Sequence, residues 1–267
     1  METRAARIGL WTWMLLVVLF LYAPIAIIVV YAFNESNVQS WPISGFSTKW
    51  FSSTWHNEEV RDALVLSLKA ALSSTAIALI LGTAGAFAVS RFKFFGRETI
   101  SFIFILPLAL PGIITGMALN SYFVFAGGPF SFGLRTIVIG HATFCVVVIY
   151  NNVIARLRRT SPSLLEASQD LGADGWQTFR FVTFPVISTA LVSGALLAFA
   201  LSFDEVIVTT FTAGAQNTLP LWIFGKIRLG QQLPQVNVVV AVIIALTIIP
   251  VYLAQRLSRE SGILRRE

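Results

Sequence analysis

Residues 156–185 read RLRRTSPSLLEASQDLGADGWQTFRFVTFP, a polar, charged segment lying between two long apolar runs. Its punctuation describes two short helices with a sharp bend between them. Ser161 suits an N-cap and Pro162 the first helical position, where a missing N–H costs nothing. Gly172 falls where the first helix must end in a left-handed residue, a conformation that penalises a β-carbon. Asp174 with Gln177 three residues later forms a capping box, and Pro185 is expected to close the second helix and start the next apolar run. The first helix carries Leu164, Leu165 and Leu171, and the second Trp176, Phe179 and Val182. Such a loop is either an ordinary amphipathic surface element or one shaped to fill a groove in another protein.

Outward from this loop the chain is apolar. Of 267 residues 56% are hydrophobic and 12% charged, about half the usual charged share. A soluble core could not hide that much hydrocarbon, which excludes an ordinary cytosolic enzyme, an acidic disordered chain and a secreted mini-protein. The lone Cys145 excludes an internal disulfide framework and a multi-cysteine metal site. A spanning helix needs about 20 mostly apolar residues. Charge-free stretches lie between Arg7 and Glu35, Lys69 and Arg91, Glu98 and Arg135, Arg135 and Arg156, Arg180 and Asp204, and Arg228 and Arg256. They predict an all-α polytopic membrane protein with six spans centred near residues 20, 78, 112, 145, 195 and 245. The third stretch also holds a turn at Gly127-Gly128-Pro129 and an apolar hairpin, and Pro107 and Pro111-Gly112 should kink or break its span. Val206 to Gly225 is charge-free too, but Gln216, Asn217 and Pro220 argue for an extension of the fifth helix followed by an outer loop or partial helix. The first apolar run exceeds a secretory h-region and reads as a permanent helix, and residues 34–62, with Trp41, Trp50, Phe51 and Trp55, as an interfacial segment.

With the N-terminus inside, the cytoplasmic segments carry Arg4, Arg7, Arg91, Lys93, Arg97, Arg156, Arg158, Arg159, Arg180, Arg256, Arg259, Arg265 and Arg266. The outer segments keep only Lys49, Arg61, Lys69, Arg135, Lys226 and Arg228, so the positive-inside rule gives N-in and C-in. The formal charge of +6 is then topological and calls for lipid rather than nucleic acid as a partner.

Glu166-Ala167-Ser168, with Gly172 six residues after the Glu and Pro185 nineteen after it, resembles the EAA loop of binding-protein-dependent ABC importer permeases. That family usually has Ala where Ser168 stands. Further stretches carry the likeness, among them residues 109–113 (ALPGI), 140–144 (GHATF), 170–173 (DLGA) and 201–205 (LSFDE). Nearly the whole chain is similar to the second permease subunit of spermidine/putrescine-type importers, notably the YdcV-like branch. The resemblance implies a type I importer (MetI-like) permease fold, with a core over about residues 64–255 in a single permease domain spanning 1–267, in a bacterial inner membrane. It implies that Glu166, Ala167, Ser168, Asp170, Leu171 and Gly172 form a coupling helix seated in a cleft of an ATPase subunit. It implies as partners an ATPase dimer, a homologous second permease and an extracytoplasmic binding protein, with polyamines as cargo. No Gly-x-x-x-x-Gly-Lys-Ser/Thr occurs, so ATP and Mg are expected on the partner ATPase, with no cofactor, metal or catalytic residue here. The same machine could carry 4-aminobutyrate or a cationic amino acid. A stand-alone secondary transporter would need its own coupling-ion site, and an intramembrane enzyme a nucleophile and base; neither is visible.

Asp204 and Glu205 fall near the outer end of the fifth span. Two readings stand: hydrated interfacial caps, or a cation site on the transport path with Phe203 or Trp222 adding cation–π contacts. Lys226 or Arg228 could instead neutralise the acids. Asn120 and Tyr122 are further candidates for lining the path, His141 and Cys145 read as packing residues, and Lys69 is expected to snorkel to the outer interface.

Overall fold

A computed structural model describes residues 4–127 and 131–247. Gly128, Pro129 and everything beyond residue 247, including the end of the sixth span with Arg256, Arg259, Arg265 and Arg266, lie outside the described residues. The chain divides into two compact units, residues 62–222 and the flanking residues together.

In the flanking unit, α1 (Arg4–Ala32) is apolar around its whole circumference, with Phe20 81% exposed, as a helix facing lipid or another chain must be. The following segment is tied by the Trp50 indole N–H, which donates to the Asn34 carbonyl at 2.9 Å, and leads into α2 (Lys49–His56). Trp41 and Trp55 stay exposed, consistent with an interfacial segment. After α11 (Leu219–Leu229) comes α12 (Leu233–Thr247), the described part of the sixth apolar run. Lys226 pairs with Glu59 at 2.8 Å rather than with Asp204 or Glu205.

The central unit is built around α6 (Leu134–Arg158), whose buried positions surround the helix because it meets neighbours on several sides. It packs against α3 (Glu58–Arg91) through a core that includes Ala78, Ala86, Ile149 and Val153. The two helices come close at Gly82, where a β-carbon would sit 2.8 Å from the Val146 carbonyl oxygen. Lys69 is exposed on α3. Tyr150 joins α6 to α4 (Arg97–Ala109): its ring stacks on Phe104 at 4.8 Å and its hydroxyl lies 2.8 Å from that of Ser101.

Among the described residues four apolar helices are long enough to span, and a fifth crossing arises if α4 and α5 (Gly112–Ala126) count together. That third span is more than kinked. Pro107 is accommodated inside α4, while at Leu110-Pro111 the direction turns by 99°. Pro111 lacks the N–H needed to continue the ladder and pushes Leu110 into an extended conformation, which is why the break falls there.

Two further expectations are corrected. Pro185 does not close a helix: α8 (Gly175–Gln177), a π turn (Thr178–Thr183) and α9 (Phe184–Phe203) run on as one 29-residue element. The wide turn, with the Phe184 N–H reaching back to the Phe179 carbonyl, makes room for a proline that can neither donate nor tolerate a normal preceding turn. The fifth helix also does not extend through Val206. It stops at Phe203, and a separate α10 (Ile207–Thr212) packs against α5 and α6.

Candidate functional site: a projecting loop and a helix break

The loop folds from local signals. Ser161 Oγ accepts from the Ser163 N–H, Pro162 has helical dihedrals, and α7 (Ser163–Asp170) follows. At its end Gly172 adopts φ +80°, its N–H bonds the Gln169 carbonyl, and the Ala173 N–H bonds that of Ser168. This pair of bonds is a Schellman motif, closing orphan carbonyls that would otherwise need water. Asp174 and Gln177 make both bonds of the capping box, at 2.7 and 2.9 Å. Glu166, Ala167, Asp170, Leu171 and Gly172 all face outward, and Leu171 is 88% exposed. Ser168 does not: it is buried, with its hydroxyl 2.7 Å from that of Thr178. The hydroxyl that departs from the family pattern therefore ties α7 to the π turn. Phe179 anchors the other side, stacked on Trp176 and edge-on to Phe87 of α3.

At the far end of α9, the acids lie in the break between α9 and α10. Glu205 Oε1 accepts from the Val208 N–H at 2.9 Å, acting as a cap on α10. Asp204 is exposed where the carbonyls of α9 run out, a place the helix dipole disfavours for an anion. His141, buried in α6, fastens both sides of the break: Nδ1 lies 2.8 Å from Ser202 Oγ and Nε2 2.8 Å from Thr209 Oγ1. Thr209 already donates its hydroxyl proton to the Glu205 carbonyl. Nε2 must therefore carry a proton and donate to Thr209, leaving Nδ1 to accept from Ser202. Packing is indeed the role of His141, and Cys145 is buried beside it with Sγ 3.4 Å from the Ala198 carbonyl.

The remaining candidates divide. Phe203 is half-buried and stacks on Phe199, and Tyr122 is exposed. Asn120 spends its amide N–H on the Phe211 carbonyl at 2.7 Å, pinning α5 to α10. Trp222 is buried. Sequence reasoning missed a groove of about 570 Å³ between α6 and α9, lined by Asn151, Asn152, Thr189 and Ser193 together with Arg156, Arg159 and two alanines. Its signal was the Asn151-Asn152 pair within an apolar run. Thr189, Ser193, Leu197, Ala200 and Asp204 are all exposed and spaced by three or four residues, so groove and acid share one stripe of α9.

A chain of apolar helices long enough to cross a membrane, joined by a self-capped polar loop, is an integral membrane protein. The family profile described as binding-protein-dependent transport system inner membrane component matches residues 62–260, and the chain belongs to that family. It is similar to the putrescine transport system permease protein PotI of Escherichia coli (strain K12), 37% identical over 232 residues covering 84% of this chain and 82% of the relative. The spermidine/putrescine transport system permease protein PotC of Haemophilus influenzae is 32% identical over 251 residues, 93% of this chain and 96% of that one. A bacterial ABC transporter involved in the import of the acidic polysaccharide alginate shares the fold, with TM-score 0.71 and 18% identity over 96% of this chain and 98% of its own.

Proposed function

We propose that this permease translocates polyamines of the putrescine and spermidine type by alternating access, driven by a separate ATPase dimer. A homologous second permease completes the path and an extracytoplasmic binding protein delivers the cargo. The observation that carries the substrate class is the likeness, over most of both chains, to permeases of putrescine and spermidine/putrescine systems. The six-span, N-in and C-in arrangement puts the 161–177 loop on the cytoplasmic side. There Glu166, Asp170 and Leu171 are presented to the ATPase, while the caps fix the loop's shape without help from the partner.

Asp204 is the acid offered to a cargo ammonium group, and Glu205, engaged with α10, shapes the turn that presents it. The exposed stripe of α9 from Asp204 to Thr189 supplies this chain's side of the path, since polar groups at membrane depth face water or protein rather than lipid. ATP-driven uptake of labelled putrescine, spermidine and 4-aminobutyrate by the reconstituted complex with its binding protein tests the reading. Polyamine uptake is expected. Uptake of 4-aminobutyrate alone overturns the substrate class, and transport by the isolated chain overturns the coupled mechanism.

A further inference from the structure

Three arginines from three helices converge behind the loop. Arg91 ends α3, Arg97 opens α4 and Arg158 ends α6, and all three line one cavity of about 360 Å³. Among the described residues that line it there is no carboxylate. The ion pairs among the described residues are Arg61 with Glu58 and Lys226 with Glu59, so none of the three is neutralised there. Arg91 spends one N–H on Thr183 Oγ1 at 3.2 Å and keeps the rest of its donor fork.

The same lining holds hydrocarbon, from Leu165 of α7 with Val182 and Val186, and the hydroxyl residues Ser90, Thr160 and Thr183. A site that combines several guanidinium forks with aliphatic carbon suits a ligand that joins an anionic oxygen cluster to an apolar body. Guanidinium matches phosphate oxygens in a bidentate manner, and the ends of membrane helices lie at headgroup level. The chain's own C-terminal segment is a poor occupant, because residues 248–267 carry four arginines against two glutamates.

We infer that this cavity binds the phosphate of an anionic phospholipid headgroup, with Arg91, Arg97 and Arg158 as its ligands and Leu165, Val182 and Val186 against the start of the acyl chains. Pro162 and Leu165 belong both to the cavity wall and to the loop, so a bound headgroup braces the loop from behind. The inference is independent of which solute is carried.

The test uses the assembled transporter in nanodiscs of phosphatidylcholine with and without phosphatidylglycerol. Retained phosphatidylglycerol is counted by native mass spectrometry. Each of Arg91→Gln, Arg97→Gln and Arg158→Gln is expected to weaken retention about fivefold, the worth of one arginine near an anionic headgroup. The triple variant should lose the lipid, while a charge-matched control, Arg4→Gln with Arg7→Gln and Lys93→Gln, should keep it. Equal retention in triple variant and control overturns the proposal. Inorganic phosphate binding to the delipidated complex, lost in the triple variant and leaving phosphatidylglycerol counts unchanged, would assign the arginines to a free anion and overturn the lipid assignment. Release of the ATPase by the triple variant with lipid counts unchanged would show instead that the arginines meet an acidic protein surface, and the proposal fails.

Discussion

The loop at residues 161–177 and the helix break at residues 203–206 both present an acid on a turn, yet they are held in opposite ways. Apart from the Ser168–Thr178 hydroxyl pair, which reaches across ten residues, the bonds that shape the loop's bend connect residues at most five apart: Ser161 to Ser163, Ser168 to Ala173, Asp174 to Gln177. The break has local bonds at Glu205, but it is also held from a distance, by His141 on another helix reaching Ser202 and Thr209. A locally closed loop keeps its shape while it is handed between partners. A turn clamped from elsewhere moves when the clamping helix moves.

The largest effect should come from attacking the distant clamp. His141→Ala leaves the buried Ser202 hydroxyl without a partner, takes from Thr209 the donor to its oxygen and opens a void, costing about 3 kcal/mol. A fall in the melting temperature of the purified complex together with lost uptake is expected, and wild-type stability would show that the break holds itself. Next comes Asp204→Asn, which removes a charged acceptor for an ammonium group worth about 1.5–3 kcal/mol, or tenfold and more in polyamine uptake. Glu205→Gln should lower uptake far less, because an amide oxygen can still cap α10. Equal effects from the two changes would erase the distinction drawn between them.

Gly172→Val tests the loop's self-closure. A β-branched residue at φ +80° costs about 1–2 kcal/mol, so the protein should insert normally while ATPase stimulation by cargo falls. Unchanged coupling would mean the bend is dispensable. The smallest effect is expected for Ser168→Ala, about 1 kcal/mol from stranding the Thr178 hydroxyl. Adding Thr178→Val should recover most of it, since replacing both partners leaves nothing unpaired.

The same contrast explains what was legible in the sequence. Ser161, Gly172, Asp174 and Gln177 announce the loop because caps act over three or four residues, and their bonds appear where the spacing places them. The apolar runs announce the helices for the same reason. The stop at Phe203 depends on α10 turning away to pack on α5 and α6, which no local spacing encodes. Pro185 misled because a proline ends a helix only when the preceding turn cannot widen, and here it widens into a π turn. Ser168 read as a harmless departure because its partner, Thr178, lies across the bend.

The unbroken run from Gly175 to Phe203 has a mechanical meaning. Its 29 residues span about 40 Å at the helical rise, with the loop at one end and Asp204 just past the other. A hydrogen-bonded rod of that length transmits displacement rather than absorbing it. The loop and the turn at Asp204 are thus the two ends of a single rod, and neither end can move without the other registering it.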